Sequence, residues 1–282
     1  MTVLISCTAY SQKTDIKLQA QLTEMVAHFN GDIGIYVHNL RHNRVAMVNA
    51  DTVFPTASIV KIPILIGIMS KIETGQLNYH QRFTYTDSLF YSEGDDILSA
   101  FKDSSTIELS KLMMLMITIS DNCASLWLQG LSGGGTRINQ LMDSLGLPLT
   151  RVNSRTPGRE TNRHRYGWGQ TSPREIAKLM ERIVKAEVLG AEPDGKMLRL
   201  LGRQYWDEEA LSQIPAGIFA ADKNGAIDES RNEVVYVNCP GNPYVFSIFT
   251  KNNKDKSWKS DNEAWVLTRK LSALLWQYYN KQ

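Results

Sequence analysis

An apolar stretch with a single internal charge, FPTASIVKIPILIGIMS at positions 54–70, limits what this chain can fold into more than any other segment. The run from Ile62 to Met69 is far shorter than the roughly 20 residues of a membrane-spanning helix, so it predicts a helix buried in a protein core. Lys61 begins that run and must lie at or inside the core. Ser58 stands three residues earlier, and residues at i and i+3 share one face of a helix.

Ser58 and Lys61 together have the chemistry of a nucleophile and its base. A serine hydroxyl is a weak nucleophile until a base removes its proton, and a lysine in apolar surroundings has a lowered pKa that lets it act as that base. A helix starting at Thr56 or Ser58 would also place Ser58 at the positive end of the helix dipole. The spacing alone has a plainer interpretation, an N-cap serine followed by a snorkelling lysine, so it needs support from elsewhere in the chain.

The overall composition narrows the function. With 282 residues, the chain is long enough for one large domain or two closely packed lobes. A net charge of +2 gives no reason to expect a nucleic-acid partner. The five histidines show no metal-ligand spacing and the three cysteines include no C-x-x-C pair, so we expect no cofactor and no metal. Cys123 and Cys239 are expected to be small buried side chains.

The N-terminal segment, MTVLISCTAYSQ at positions 1–12, is mildly apolar and then polar, without a basic start. It resembles the end of a secretory signal that begins upstream of Met1, and Leu4 to Cys7 resembles a lipoprotein processing box with Cys7 as the lipidated residue. The alternative is a disordered cytosolic tail. We expect an exported, periplasmic protein, with a lipid anchor at Cys7 as an option and no membrane-spanning helix.

The pattern of apolar residues predicts strands at both ends of the chain around a helical middle. We expect terminal helices over residues 13–30 and 261–279, a hairpin over 33–47, and strands over 218–221, 233–237 and 244–250. The middle includes helices over 109–119 and 133–146, a long polar loop over 150–171, and a helix starting at Ser172-Pro173.

These elements predict an α+β fold with two lobes in one domain over residues 13–282. An antiparallel sheet flanked by the terminal helices would form one lobe (13–55 and 214–282), and an all-helical lobe (56–213) would form the other. The Ser58 helix would lie at their junction, where catalytic clefts are common.

Two further motifs change the reading of Ser58 and Lys61. Ser120-Asp121-Asn122 follows a densely apolar helix, and Lys223-Asn224-Gly225 lies in a strand-like segment, FAADKNG. Alone, the first could be a helix end or an N-cap and the second a hairpin turn. In this order, with 62 residues from Ser58 to Ser120 and 103 from Ser120 to Lys223, they resemble the class A serine β-lactamases and related penicillin-binding proteins. The segment ITISDNCASLWL is also similar to the family's passage in which Ser-Asp-Asn lies between two helices. The resemblance runs from about Leu18 to the end of the chain.

The resemblance implies roles for the first two motifs. Ser58 would attack the carbonyl of a β-lactam ring, with Lys61 as its base, directly or through water. Ser120 would pass a proton to the leaving ring nitrogen. Asn122 would hold Lys61 and the acylamide side chain of the substrate.

The third motif would bind the other end of the substrate. Lys223 would supply positive charge for the substrate carboxylate. Asn224 replaces the usual threonine or serine, and its amide can still donate to a carboxylate. The residue after Gly225, Ala226, would offer one oxyanion-hole N–H, with that of Ser58 as the other. Arg231 is a further candidate for the carboxylate, against the alternative of a solvated hairpin arginine.

The family's loop T-R-x-x-x-x-E-P-x-x-N is altered here. In an ungapped match, Thr156 stands in place of the glutamate that activates the deacylating water, and Glu160 stands in place of the asparagine. If Pro157 opened a helical turn after an N-cap Thr156, positions 156 and 160 would share a face and Glu160 could serve as the base. The alternative is that Glu160 pairs with neighbouring arginines, namely Arg155, Arg159 or Arg163.

Three functions remain open at this point. The first is a class A-like β-lactamase acting as a monomer on small-molecule β-lactams. The second is a penicillin-binding D-alanyl carboxypeptidase or transpeptidase acting on cell-wall peptides. The third is a sensor or scavenger that is acylated without turnover.

Overall fold

The structure is a computed structural model that describes residues 12–91 and 96–281. The helices predicted over residues 13–30, 109–119, 133–146 and 261–279 are present with slightly shorter bounds, because capping residues and turns limit them. Asp15, for example, caps the first helix with its side chain at the N–H of Leu18. The α-helices are α1 (Ile16–Val26), α2 (Lys61–Glu73), α3 (Leu109–Thr118), α4 (Asn122–Leu131), α5 (Gly134–Ser144), α6 (Glu160–Tyr166), α7 (Pro173–Val184), α8 (Ala191–Leu201) and α9 (Glu263–Tyr279).

One six-stranded sheet forms the first lobe, with strand order β1-β3-β2-β11-β10-β9. Its only parallel pair among the described residues is β1 with β3, and the other neighbours are antiparallel. The sheet joins both ends of the chain, and β9 lies at its edge. The strands are β1 (Lys13–Thr14), β2 (Asp32–Asn39), β3 (Arg44–Val48), β9 (Ala220–Ile227), β10 (Ser230–Val237) and β11 (Tyr244–Lys251).

Side-chain alternation along each strand divides the core into two layers. On β10, Val234 and Tyr236 join the large core shared with α2 and the other middle helices. Val235 and Val237 point to the opposite face and join a second core closed by α1 and α9. The α+β two-lobe fold is confirmed, and helix α2 lies buried where the sheet meets the middle of the chain.

The expectation of an all-helical second lobe is wrong, because short strands tie its connections together. β5 (Arg82–Thr84) pairs with β6 (Thr106–Glu108), and β8 (Gly169–Thr171) pairs with both β4 (Phe54–Pro55) and β7 (Arg151–Val152). These ladders give partners to backbone groups that a structureless loop would leave unpaired. The segment 150–171 is therefore an ordered strand–turn–helix–strand unit.

Several other expectations can be placed on the structure. Cys123 and Cys239 are buried free thiols, as predicted. Within the described residues, no helix has the length and apolarity that crossing a bilayer requires. The predictions for the N-terminal segment, including lipidation of Cys7, concern residues 1–11, which lie outside the described part of the chain.

Candidate active site

Ser58 lies on a short 3₁₀ helix, Ala57–Val60, that runs directly into α2. Ala57, the residue before Ser58 and the first of this short helix, has φ +44°. Left-handed backbone at a residue other than glycine costs about 1–3 kcal/mol and persists only where the surroundings impose it. The strained backbone at Ala57 fixes the direction in which the chain enters the helix. Ser58, at the start of the helix, is half-buried.

Lys61 is the centre of the hydrogen-bond network around Ser58. Its Nζ lies 3.0 Å from Ser58 Oγ, 3.0 Å from Ser120 Oγ and 2.8 Å from Asn122 Oδ1, and it also donates to the main-chain oxygen of Ser120. The side chain of Lys61 is fully buried. The structure thus brings together the four residues of the first two motifs around one amine.

The environment of Lys61 favours its neutral form. Burial lowers its pKa well below the ordinary lysine value, and the nearby positive charge of Lys223 lowers it further. The carboxylates of Asp96 and Asp121 oppose this shift. A lysine with a lowered pKa can accept a proton from a hydroxyl at neutral pH.

The Ser120-Asp121-Asn122 turn is shaped by its middle residue. Asp121 caps α4, because its Oδ1 accepts from Ala124 N at 2.8 Å. Ser120 has φ +64°, which turns its side chain and its carbonyl toward Lys61. Asn122 is the first residue of α4 and reaches the same amine. The N-cap interpretation and the functional one therefore hold together, since the cap positions the two flanking residues.

Asp96 is a neighbour of the site that sequence reasoning missed. Its Oδ1 accepts from Asn122 N at 2.6 Å, and it approaches Asp121 and Cys123 closely enough that one donor atom of each lies within 4.8 Å of the others. Both oxygens of Asp121 accept backbone N–H groups, those of Ala124 and Leu98. Burial raises the pKa of the Cys123 thiol to about 11. These groups hold the start of α4, and we assign them no metal.

Lys223-Asn224-Gly225 lies in the middle of β9, not at a hairpin turn. Lys223 is fully buried, and its Nζ donates to the carbonyl and the Oδ1 of Asn224 at 3.0 and 3.1 Å. A Cβ on Gly225 would lie 2.8 Å from Ser58 N and 2.6 Å from Thr56 O. Only glycine permits this approach, which brings the backbone of Gly225 beside that of Ser58.

Two buried acids lie close to Lys223. Asp222 pairs with Val235, and so faces the second core, on the side of the sheet where Glu233 also lies. Burial raises the pKa of Asp222 to about 8 and that of Glu233 well above its ordinary value. Burial lowers the pKa of Lys223 to about 8, and the charges of the two acids oppose that change.

Comparison with known proteins settles the family. The model of the beta-lactamase enzyme family matches residues 17–279 of this chain. The chain belongs to this family. A structure of PBP-A superposes with a TM-score of 0.85 at 27% identity over 96% of this chain and 98% of that one, and a PBP-A mutant in an acyl-enzyme complex with penicillin G matches equally well.

Curated β-lactamases are similar over most of the chain. The β-lactamase VEB-1 of Pseudomonas aeruginosa is 20% identical over 283 residues, covering 96% of this chain and 93% of that protein. A β-lactamase of Streptomyces cellulosae is 26% identical over 230 residues, covering 77% of this chain and 71% of that protein.

Within this β-lactamase-family fold, Arg231 does not reach the cleft, and its expected contact with a substrate carboxylate is wrong. It pairs with Ala226 on β10, and its side chain lies on the second-core face of the sheet. Arg231 is 1% exposed, and its guanidinium packs against the rings of both Trp258 and Trp265, at 4.3 and 4.7 Å from their centres. It donates to main-chain carbonyls, including that of Ser257. Arg231 therefore joins α9 to the sheet.

The expected helical turn from Thr156 to Glu160 does not form. Gly158 has φ +75°, so residues 156–159 make a tight turn and α6 begins only at Glu160. Glu160 is exposed, and its Oε1 accepts from Gly158 N at 3.1 Å. Arg159 donates instead to Asn153 and Gln170. Both earlier readings of Glu160, as a base and as an arginine partner, lack support in the structure.

Thr156, which the ungapped match aligns with the family's glutamate, is turned into the protein. It is buried, its hydroxyl donates to Ser154 O at 2.8 Å, and it packs against the Cα of Gly135 on α5. Among the described residues, the hydrogen-bond partners of Lys61 Nζ are Ser58, Ser120 and Asn122, and include neither Thr156 nor Glu160.

Proposed function

We propose that this protein is a serine hydrolase that opens β-lactam rings through an acyl-enzyme on Ser58. The observation that carries the proposal is the position of Lys61 Nζ, 3.0 Å from both the Ser58 and the Ser120 hydroxyl oxygens. One buried amine with a lowered pKa is thus in reach of the nucleophile and of the group that can protonate the leaving atom.

Acylation follows from this geometry. Neutral Lys61 takes the proton of Ser58, whose Oγ attacks the ring carbonyl carbon and forms a tetrahedral oxyanion. When the intermediate collapses, the carbonyl carbon–nitrogen bond breaks, Ser120 gives its proton to the nitrogen, and Lys61 returns a proton to Ser120. Every proton is accounted for within the three side chains, and Ser58 holds the acyl group.

The third motif supports binding and the oxyanion. Lys223 supplies positive charge near the cleft for the ring carboxylate, and Asn224 keeps a second amide hydrogen for it after donating one to Trp206 O. The close approach at Gly225 favours an oxyanion hole made by the N–H groups of Ser58 and Ala226. Losing one such donor typically costs about 3 kcal/mol of transition-state stabilisation.

Deacylation has less support, and this favours a second candidate function. Thr156 offers no base because an unassisted hydroxyl stays protonated near neutral pH, and Glu160 is exposed and held by Gly158. A slow-turnover penicillin-binding protein, acting as a D-alanyl carboxypeptidase or transpeptidase or as a sensor, would use the same acylation chemistry. The likeness to PBP-A, one form of which was solved as an acyl-enzyme with penicillin G, agrees with stable acylation.

Intact-protein mass spectrometry over time with a penicillin tests the proposal. We expect an adduct of the penicillin's full mass on Ser58, because ring opening releases no fragment. Its decay to free protein would mark a hydrolase, and its persistence would mark the binder. An unmodified mass throughout, or an adduct that maps to Ser120, would refute the proposal.

We further propose an exported, monomeric protein that protects its host from β-lactams. The supporting observation is the resemblance of residues 1–12 to the end of a secretory signal with Cys7 in a lipoprotein-like box. Fractionation of the native host is expected to find the protein outside the cytoplasm, and deletion of its gene to lower the tolerated β-lactam concentration. An unprocessed cytosolic protein starting at Met1 would contradict the export proposal.

A further inference from the structure

The connection that follows α8 is tied to both sides of the cleft. Gln204 Nε2 donates to Ile117 O at 3.0 Å and to Asp222 O at 2.8 Å, so it joins the end of α3 to the strand of Lys223. Tyr205 N donates to Thr118 O at 2.9 Å. These bonds run from backbone just before Ser120 to backbone just before Lys223. These hydrogen bonds fix residues 204–206 in place as part of the cleft wall.

Trp206 is the outermost residue of this bridge. Its indole Nε1 donates to Ile119 O at 3.0 Å, directly before Ser120, and its carbonyl accepts from Asn224 Nδ2 at 3.3 Å. Both its side chain and its backbone are thus fixed by neighbours of residues that the proposed mechanism uses. The ring of Tyr205 meets the indole edge to face, with centroids 5.0 Å apart, and limits its rotation.

The indole is held in place yet left in solvent. Trp206 is 46% exposed, although burying a tryptophan is among the larger apolar gains available to a protein. Its N–H is already satisfied by Ile119, so the exposed part of the ring is apolar surface rather than a donor. Such a ring beside a cleft is suited to a flat apolar group of a ligand.

The position of Trp206 indicates which part of a ligand it meets. Under the proposed function, Ser120 protonates the leaving nitrogen, and Lys223 and Asn224 face the carboxylate next to that nitrogen. Trp206 contacts the neighbours of Ser120 and of Lys223, whereas Asn122 lies on the acylamide side. A substituent near the carboxylate of a bicyclic β-lactam would therefore approach the indole.

We propose that Trp206 is a specificity-determining residue that packs against an aromatic substituent on the leaving-nitrogen side of the substrate. This inference rests on the proposed function. The ligand class is a cephalosporin whose six-membered ring carries an aryl or arylvinyl group next to the carboxylate-bearing carbon. The preference over the same nucleus with a methyl group there is expected to be about three- to tenfold, the size of one aromatic pair.

The test compares two cephalosporins that differ only in this substituent, aryl or methyl. Second-order rate constants for acylation of Ser58 are measured by intact mass for the unmodified protein, Trp206→Ala and Trp206→Phe. Trp258→Ala serves as the control, since Trp258 is an exposed tryptophan that stacks on Arg231 on the other face of the sheet. Thermal melts of all four proteins check folding.

We expect Trp206→Ala to lose about three- to tenfold on the aryl compound and less than about twofold on the methyl compound. Trp206→Phe keeps a ring and should recover most of the difference, and Trp258→Ala should change neither rate. Equal losses on both compounds would show a structural role and overturn the inference, as would unchanged rates in Trp206→Ala. Absence of acylation of the unmodified protein by either cephalosporin would overturn this inference, and the penicillin experiment then shows separately whether the proposed function also fails.

Discussion

The network around Ser58 and the loop that carries Thr156 are built very differently, although both face the same cleft in the family's arrangement. Around Ser58, one buried amine meets three side chains from two motifs within 3.0 Å. In the loop, the hydroxyl of Thr156 donates to the main-chain oxygen of Ser154, and Glu160, the nearest carboxylate along the chain, is exposed. In the described part of the chain, the residues proposed for acylation are assembled around Lys61, whereas neither Thr156 nor Glu160 contacts that amine, so the two half-reactions should respond to mutation independently.

The difference shows that family membership and turnover are separate questions. The fold and the acylation residues require the apolar run at α2, the cap at Asp121 and the glycine at 225, and all of these are present. Deacylation requires in addition a base poised over an ester, which a single loop substitution removes without disturbing the fold. The predictions below test each half in turn, beginning with the largest expected effect.

Ser58→Ala should abolish acylation, because it removes the hydroxyl that lies 3.0 Å from Lys61 Nζ at the start of α2. The measurement is intact mass after prolonged exposure to a penicillin. Since the change removes one small, half-buried oxygen, the thermal melting temperature should stay close to that of the unmodified protein. A covalent adduct in this variant would show that the network around Ser58 is not the acylating half.

Lys61→Arg should slow acylation by about 10⁴-fold, the upper end of what a general base contributes. Arginine can still donate hydrogen bonds, but it stays positively charged and cannot act as a base, because it does not lose its proton in proteins. The acylation rate is measured by stopped-flow mixing or quenched mass spectrometry. A loss smaller than about tenfold would assign the proton transfer to another group.

The pH dependence of the unmodified protein sharpens the same test. The pKa of Lys61 is lowered by burial and by Lys223, so the amine stays neutral to lower pH than an ordinary lysine. The acylation rate should be level above this lowered pKa and should fall as the pH drops through it, because protonation removes the base. As the pH is lowered, we expect the acylation rate to begin to fall only below the pKa range of ordinary lysines. A fall already at the ordinary lysine pKa would mean that Lys61 is not perturbed in this way.

Thr156→Glu should speed deacylation by about 10²-fold, the lower end for a general base, because the loop is not otherwise shaped for it. Acylation should be unchanged, since Thr156 contacts Ser154 and Gly135 and not Lys61. Single-turnover decay of the acyl-enzyme is the measurement. Thr156→Gln is the matched control, having the same size without a base, and equal acceleration by both variants would trace the effect to loop disruption.

How far the sequence predicted the molecule depends on the range of the interactions involved. The i, i+3 spacing of Ser58 and Lys61 and the apolar run after them are local, and they give α2 and the buried amine directly. Asp96 and Trp206 reach the site through chain separated from the motifs, and no local pattern marks them. Such neighbours appear only when the tertiary structure is known.

Two wrong expectations had signals in the sequence. Pro157-Gly158 is a turn dipeptide, and a glycine in left-handed conformation stops the helical turn that Glu160 would have needed. Arg231 is an odd number of residues from Val234, so strand alternation places it on the face opposite to Val234 and away from the large core.

Glu160→Gln should have the smallest effect of the series, and it tests directly whether the loop supplies any base. Glu160 is exposed, starts α6 and accepts from Gly158 N, and glutamine can keep that bond. Exposed substitutions of this kind usually change free energies by less than about 0.5 kcal/mol, so acylation and deacylation rates should both stay within about twofold. Both rates are read from the same mass-spectrometric time course, alongside Thr156→Glu. Deacylation slowed by about 10²-fold or more, with acylation intact, would show that Glu160 moves into the cleft once the acyl group is in place, and the contrast between the two halves of the site would fail.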